Sequence, residues 1–103
     1  MAEFMQVDIQ DVTIGDDWSG GTLVTLPRGC KGCSIQLPIG SSSLELGVRP
    51  LTYAGAALGL SGSSGGVGQW TMKFEDGKLG SAMTLDLRHS GTGDLVGVVW
   101  IWS

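Results

Sequence analysis

Charge is scarce in this chain. Asp, Glu, Lys and Arg make up only 16% of its 103 residues, against about a quarter in an ordinary soluble domain. The six cations (Arg28, Lys31, Arg49, Lys73, Lys78 and Arg88) are scattered, and the formal net charge is -4. A surface that tracks phosphates needs several cations on one face, because its affinity comes from released counterions. Nucleic-acid binding is therefore not expected, and the same scarcity argues against a polybasic membrane anchor. No apolar run approaches the length of a membrane-spanning helix, so membrane insertion is not expected either. Residues 1–14 carry Glu3, Asp8 and Asp11 where a secretory signal would have a basic region and an apolar core. No signal peptide is expected; the chain is expected to be cytoplasmic when made, or to belong to a virion.

Catalytic and metal-binding groups are equally sparse. His89 is the single histidine, asparagine is absent, and the two cysteines stand as Cys30-Lys31-Gly32-Cys33. A closed zinc site needs four ligands, and beyond this pair only His89 and carboxylates are left to supply them. A redox pair of the thioredoxin type needs a helix N-terminus to lower the thiol pKa, whereas this one lies between Pro27-Arg28-Gly29 and a strand-like run. The pair is read as two structural cysteines at a loop–strand junction, with a local disulfide as the alternative under oxidising conditions. Ser90, His89 and Asp86 or Asp94 are neighbours in sequence without a nucleophile-elbow pattern. His89 is expected to be a solvated residue opening a turn. The pairs Asp16-Asp17 and Glu75-Asp76 lack the alternating oxygen ligands of a calcium loop and read as turn residues. The expectation is a protein without cofactor or metal that is not an enzyme.

Glycine is what the chain has in abundance. Eighteen glycines interrupt every stretch that could hold a comfortable helix, and residues 51–60 are read as extended or irregular. Period-two alternation takes the place of helical periodicity. Met5, Val7 and Ile9 share one phase and Val12 and Ile14 the other, a slip that predicts a bulge or a break. Residues 22–26 form a strand ended by Pro27. Cys33, Ile35, Leu37 and Ile39 line one face of the next, and Leu44, Leu46 and Val48 alternate up to Pro50. Trp70, Met72 and Phe74, then Met83, Leu85 and Leu87, repeat the pattern. Val96, Val98, Trp100 and Trp102 share a parity while Val99 and Ile101 take the other. That last strand is apolar on both faces, so it is central in the sandwich or covered by a second subunit.

Turn signals separate these runs. Asp16-Asp17-Trp18-Ser19-Gly20-Gly21 and Ser61-Gly62-Ser63-Ser64-Gly65-Gly66 are read as loops, and Asp76-Gly77 as a tight turn. His89-Ser90-Gly91-Thr92-Gly93-Asp94 is read as the loop of a hairpin joining the last two strands. The expectation is a single all-β domain over residues 1–103. It would be an antiparallel β-sandwich or jelly roll of about seven to nine short strands, with a small β-barrel as second choice.

The four tryptophans carry the functional reading. Trp70 is expected in the core. Trp100 and Trp102, with Ile101 between them, are the candidate interface, since two such rings on one strand face cannot easily fill a small core. Trp18 beside Asp16 and Asp17 is the candidate contact for a ligand or partner. In composition the chain resembles the head-decoration, cement and tail-accessory proteins of bacteriophages. That resemblance is one of class and rests on no motif. It implies a non-enzymatic structural or assembly protein, self-associating as a trimer or dimer and joining a larger protein assembly. The alternative is a carbohydrate-binding β-sandwich module using Trp18, Asp16 and Asp17, against which the absence of asparagine counts.

Overall fold

The computed structural model describes residues 7–57, 64–74 and 79–103, with the backbone alone at 64–66. Met5, the Glu75-Asp76 pair, the Asp76-Gly77 turn and residues 58–63 lie outside the described residues. The described residues form nine strands: β1 (Val7–Ile14), β2 (Val24–Leu26), β3 (Gly32–Gln36), β4 (Glu45–Tyr53), β5 (Ala56–Ala57), β6 (Ser64–Val67), β7 (Gln69–Lys73), β8 (Met83–His89) and β9 (Leu95–Trp102). A 3-10 turn at Ile39–Ser41 follows β3.

Two antiparallel sheets face each other. The first has the order β1-β9-β3-β7; the second runs β2-β8-β4, with β6 and β5 sharing the remaining edge of β4. With β5 and β6 counted as one interrupted strand, eight strands take the orders 1-8-3-6 and 2-7-4-5, the arrangement of a jelly roll. The sheets do not close into a barrel. The core lies between them: Val12, Ile14, Cys33, Ile35, Val99 and Ile101 from the first, and Val24, Leu26, Leu46, Val48, Leu85 and Leu87 from the second, are all buried. Each of the aliphatic side chains among them contributes roughly 1.5–3 kcal/mol when fully withdrawn from water.

Several expectations are corrected. β8 and β9 are not a hairpin; they lie in different sheets, and the 90–94 loop carries the chain across the gap. His89 enforces that crossing. It is buried on the inward face of β8, its Nδ1 accepts from the Gly91 N–H at 3.0 Å, and its Nε2 donates to the Gly93 carbonyl at 2.6 Å. It is therefore a buried loop anchor rather than a solvated turn residue.

The parity slip in β1 is not a bulge. All eight residues pair with β9 in unbroken register, from Val7 opposite Trp102 to Ile14 opposite Leu95. Val12 and Ile14 point into the core, and Val7 and Ile9 point out.

Residues 64–66, read as part of a loop, belong to β6 on the edge of β4. Nor does Pro50 end its strand. β4 passes through it to Tyr53, and the register against β8 shifts between Pro50 and Thr52. On the other edge, β6 pairs with Glu45 to Val48 and β5 with Thr52 and Tyr53. Proline is tolerated here because it sits at the irregularity in the ladder with β8. Residues 51–57 do run extended, folded by a tight turn in which Ala54 and Gly55 take φ of 55° and 79°, the left-handed pair of a type I′ hairpin.

Candidate functional site

The registers of the first sheet place its outward side chains on a grid. Along β9 the outward residues are Trp102, Trp100, Val98 and Val96; beside them on β1 stand Val7, Ile9, Asp11 and Thr13. On the other side of β9 the rows continue through Gly32, Ser34 and Gln36 of β3 to Lys73, Thr71 and Gln69 of β7. Half of the face is therefore apolar and half is polar with little charge. Val7, Ile9 and Val96 are 51%, 60% and 59% exposed, and Val98, Trp100 and Trp102 are half-buried.

Neighbouring residues hold this face in shape. Trp102 lies flat across Gly32, where a Cβ would come within 2.6 Å of the indole and 2.7 Å of the Met72 carbonyl. A side chain at position 32 would displace the ring. Ser34 and Thr71 share a hydroxyl–hydroxyl hydrogen bond of 3.0 Å, and Gln36 donates to Gln69 at 3.3 Å. Of the candidate interface residues, Trp100 and Trp102 face solvent on this sheet. Ile101 turns the other way into the core, 4% exposed, and leaves the candidate surface. Sequence reading did not collect Val7, Ile9, Val96 and Val98 with them. The signal was present in the parity slip of β1, which marked an outer apolar row rather than an irregular backbone.

The second candidate set lies on the opposite side of the molecule. The 15–21 loop folds over the outer face of the second sheet, where Asp86 and Arg49 stand opposite each other on β8 and β4. The buried Asp86 carboxylate accepts from the Ser19 N–H at 2.9 and 3.0 Å, from its neighbour Leu87 N–H at 3.0 Å and from Arg49 Nε at 3.1 Å. Arg49 also forms an ion pair with it at 3.0 Å. This clamp sets Trp18 over Gly47, where a Cβ would meet the ring edge at 3.1 Å. The Arg49 and Arg88 guanidinium carbons lie 4.6 and 5.4 Å from the ring centroid, within cation–π range. Asp16 accepts from the Gly93 N–H at 2.8 Å, tying this loop to the 90–94 loop. Asp17 accepts from the Trp18 N–H at 2.8 Å. The three residues singled out in sequence do come together, as a loop packed on its own sheet.

Cys30 and Cys33 are both free and buried. The Cys30 thiol donates to the Gly32 carbonyl at 3.1 Å. Burial raises its pKa, and burial followed by the neighbouring Cys30 pushes the Cys33 thiol up to about 12. Nucleophilic chemistry needs the thiolate, which these surroundings disfavour. No group of three or more His, Cys, Asp or Glu able to hold a metal occurs among the described residues. A cavity of about 530 Å³ opens where the first residues of β1 overhang β2, lined in part by Asp8, Gln10, Thr25 and Ile101. No helix among the described residues is long and apolar enough to cross a membrane.

The fold and these surfaces define a jelly-roll β-sandwich with one half-apolar sheet face and one face covered by its own loop. Compared with known proteins, the chain matches no family model, no curated protein and no solved structure.

Proposed function

We propose that the protein is a non-enzymatic assembly protein that associates with a second copy of itself through the outer face of the β1-β9-β3-β7 sheet. The observation that carries this reading is the contiguous apolar half-face of Val7, Ile9, Val96, Val98, Trp100 and Trp102. An uncovered patch of this kind marks an interaction site, and tryptophans at its centre are the residues that most often anchor one. A second copy suits the face because a two-fold axis lying across the strands sets β1 and β9 on their own counterparts. The wholly apolar row of β9 then meets its own counterpart, and the polar rows of β3 and β7, with their Ser34–Thr71 and Gln36–Gln69 pairs, meet polar rows. Aligned packing of two sheets about 10 Å apart is a standard way to bury such faces.

Membership of a virus or bacteriophage particle is the finer part of the proposal. It draws support from the low-charge, glycine-rich β composition and from the use of jelly rolls in capsid proteins. Jelly rolls also serve lectins, so the surface has to decide. Carbohydrate binding at Trp18 ranks second because that ring lies on Gly47 under two guanidinium groups and both neighbouring carboxylates hold backbone N–H groups.

Light scattering on the eluting protein tests the reading. The expected result is a discrete oligomer whose mass Trp100→Glu lowers without loss of β-sheet circular dichroism. A folded Trp100→Glu protein that associates as well as the parent would overturn it.

A further inference from the structure

The open edge of β1 provides a second contact, distinct from the sheet face. Among the described residues β1 has a neighbour on one side only, β9. From Val7 to Asp11 it is exposed on both faces. Natural edge strands are commonly blunted by proline, charged side chains, a bulge or a covering loop. Between Val7 and Asp11 there is no proline and the register is unbroken; the charges are Asp8 and Asp11, so a partner strand must keep like carboxylates apart. A covering loop arrives only at Thr13, whose carbonyl accepts from the Thr22 N–H at 2.8 Å.

That bond also tells which backbone groups face outward. In an antiparallel strand the N–H and C=O of one residue point to the same side, and alternate residues point to alternate sides. The Thr13 carbonyl is turned away from β9, so Val7, Ile9 and Asp11 present their N–H and C=O groups at the free edge.

The geometry points to antiparallel pairing of this edge with the same edge of a second copy, about a two-fold axis at Ile9. In that register Ile9 faces Ile9 of the second copy, and Val7 and Asp11 face each other twice. The outward groups of these three residues then make about six backbone hydrogen bonds. Centring the axis on Asp8 or Asp11 would set two like carboxylates directly opposite, which is unfavourable. Centring it on Gln10 would call on Thr13, whose carbonyl is already engaged.

The Ile9 register instead places Gln10 opposite Asp8. The Gln10 amide already donates to Asp8 within one strand, so the two copies bring together two such pairs with donors and acceptors matched. Each four-stranded sheet becomes half of a continuous eight-stranded one, and the Trp100–Ile9 row runs across the junction into its symmetry mate. This contact goes beyond the face association proposed above, because it leaves the outer face free.

Two substitutions on the cavity-facing side of β1 test it without touching that face. Gln10→Glu places four carboxylates around the axis and is expected to weaken association at least about tenfold. Gln10→Lys, which sets an ammonium opposite Asp8, is expected to strengthen it. Gln10→Cys, on the side of β1 away from the face, is expected to give a covalent dimer with a short bismaleimide, since the two-fold sets the two Gln10 positions two residues apart, roughly 7 Å along the strands. Thr13→Cys is not, since the two-fold separates the Thr13 residues by eight strand positions, roughly 27 Å. Association insensitive to both charged Gln10 variants, with no cross-link at Gln10→Cys, would overturn the edge contact and leave the face intact as the interface. Cross-linking at Gln10→Cys together with a Trp100→Glu protein of the parent's mass would support the edge and overturn the face. A parent protein that stays monomeric at every concentration overturns both.

Discussion

At the scale of single residues, the strongest commitments are polar groups placed where water cannot reach them. Asp86 lies on the outer side of its sheet yet is buried, because the 15–21 loop closes over it. Its charge is balanced by Arg49 and its oxygens by N–H donors, and among the described residues no buried side-chain polar atom lacks a partner. Breaking one side of a buried pair costs more than the pair itself contributes. Asp86→Ala is therefore expected to lower unfolding stability in urea by about 3 kcal/mol and to release Trp18, seen as a red shift in fluorescence. Cys33 makes a pH-dependent contribution. Its pKa is raised from 9.0 to about 12 in the folded protein by burial and by Cys30, so the folded state keeps a proton that the unfolded chain loses. That contribution is fully present below pH 9 and is lost as pH rises toward 12. Urea midpoints measured from pH 8 to 11 are expected to fall less steeply in Cys33→Ala than in the parent. Ala54 is held at a φ of 55°, a conformation costly for a residue with a Cβ and easier for asparagine. Ala54→Asn is expected to stabilise the protein by about 1 kcal/mol in the same assay.

At the scale of strands, two glycines are required by rings that lie across them. Gly32 leaves room for Trp102 and Gly47 for Trp18. At position 32 the obstruction includes the Met72 carbonyl, a backbone atom that cannot rotate away. Gly32→Ala is expected to cost about 2 kcal/mol and to disturb association through displacement of Trp102, read by light scattering. Neither glycine was distinguishable in sequence from the others, because the ring that covers it arrives from another strand. β9, by contrast, was legible throughout. Its two-faced apolarity left two readings, a central strand or one covered by a second subunit, and in its sheet it lies between β1 and β3. Its outward tryptophans were legible too, since two large rings of one parity exceed what a small core can hold. Ile101 was grouped with them by adjacency, but alternation sends it inward.

At the scale of the whole molecule, the jelly-roll order sends almost every connection from one sheet to the other. Only β4, β5 and β6 follow one another within a sheet. A fold of this kind is assembled from contacts distant in sequence, and it is expected to refold in milliseconds to seconds rather than microseconds. Stopped-flow tryptophan fluorescence would check this. The same order explains the failed hairpin between β8 and β9. A turn-rich hexapeptide between two strands reads alike whether the chain folds back within a sheet or crosses to the opposite one. The difference lies in His89, which is buried between the sheets and bonded to Gly91 and Gly93.

What the sequence by itself determined was the all-β class, the approximate positions of most strands and the apolar character of the last strand. These follow from glycine content and side-chain alternation, which are properties of neighbours along the chain. The tertiary structure alone decided the strand order, the burial of His89 and Asp86, and the fate of the two tryptophan sets. Trp18 was drawn down onto its own sheet by the Arg49–Asp86 clamp, while Trp100 and Trp102 were left outward beside Val7 and Ile9. Which face a strand turns to solvent depends on what is packed against the other, and that partner comes from far away in the chain.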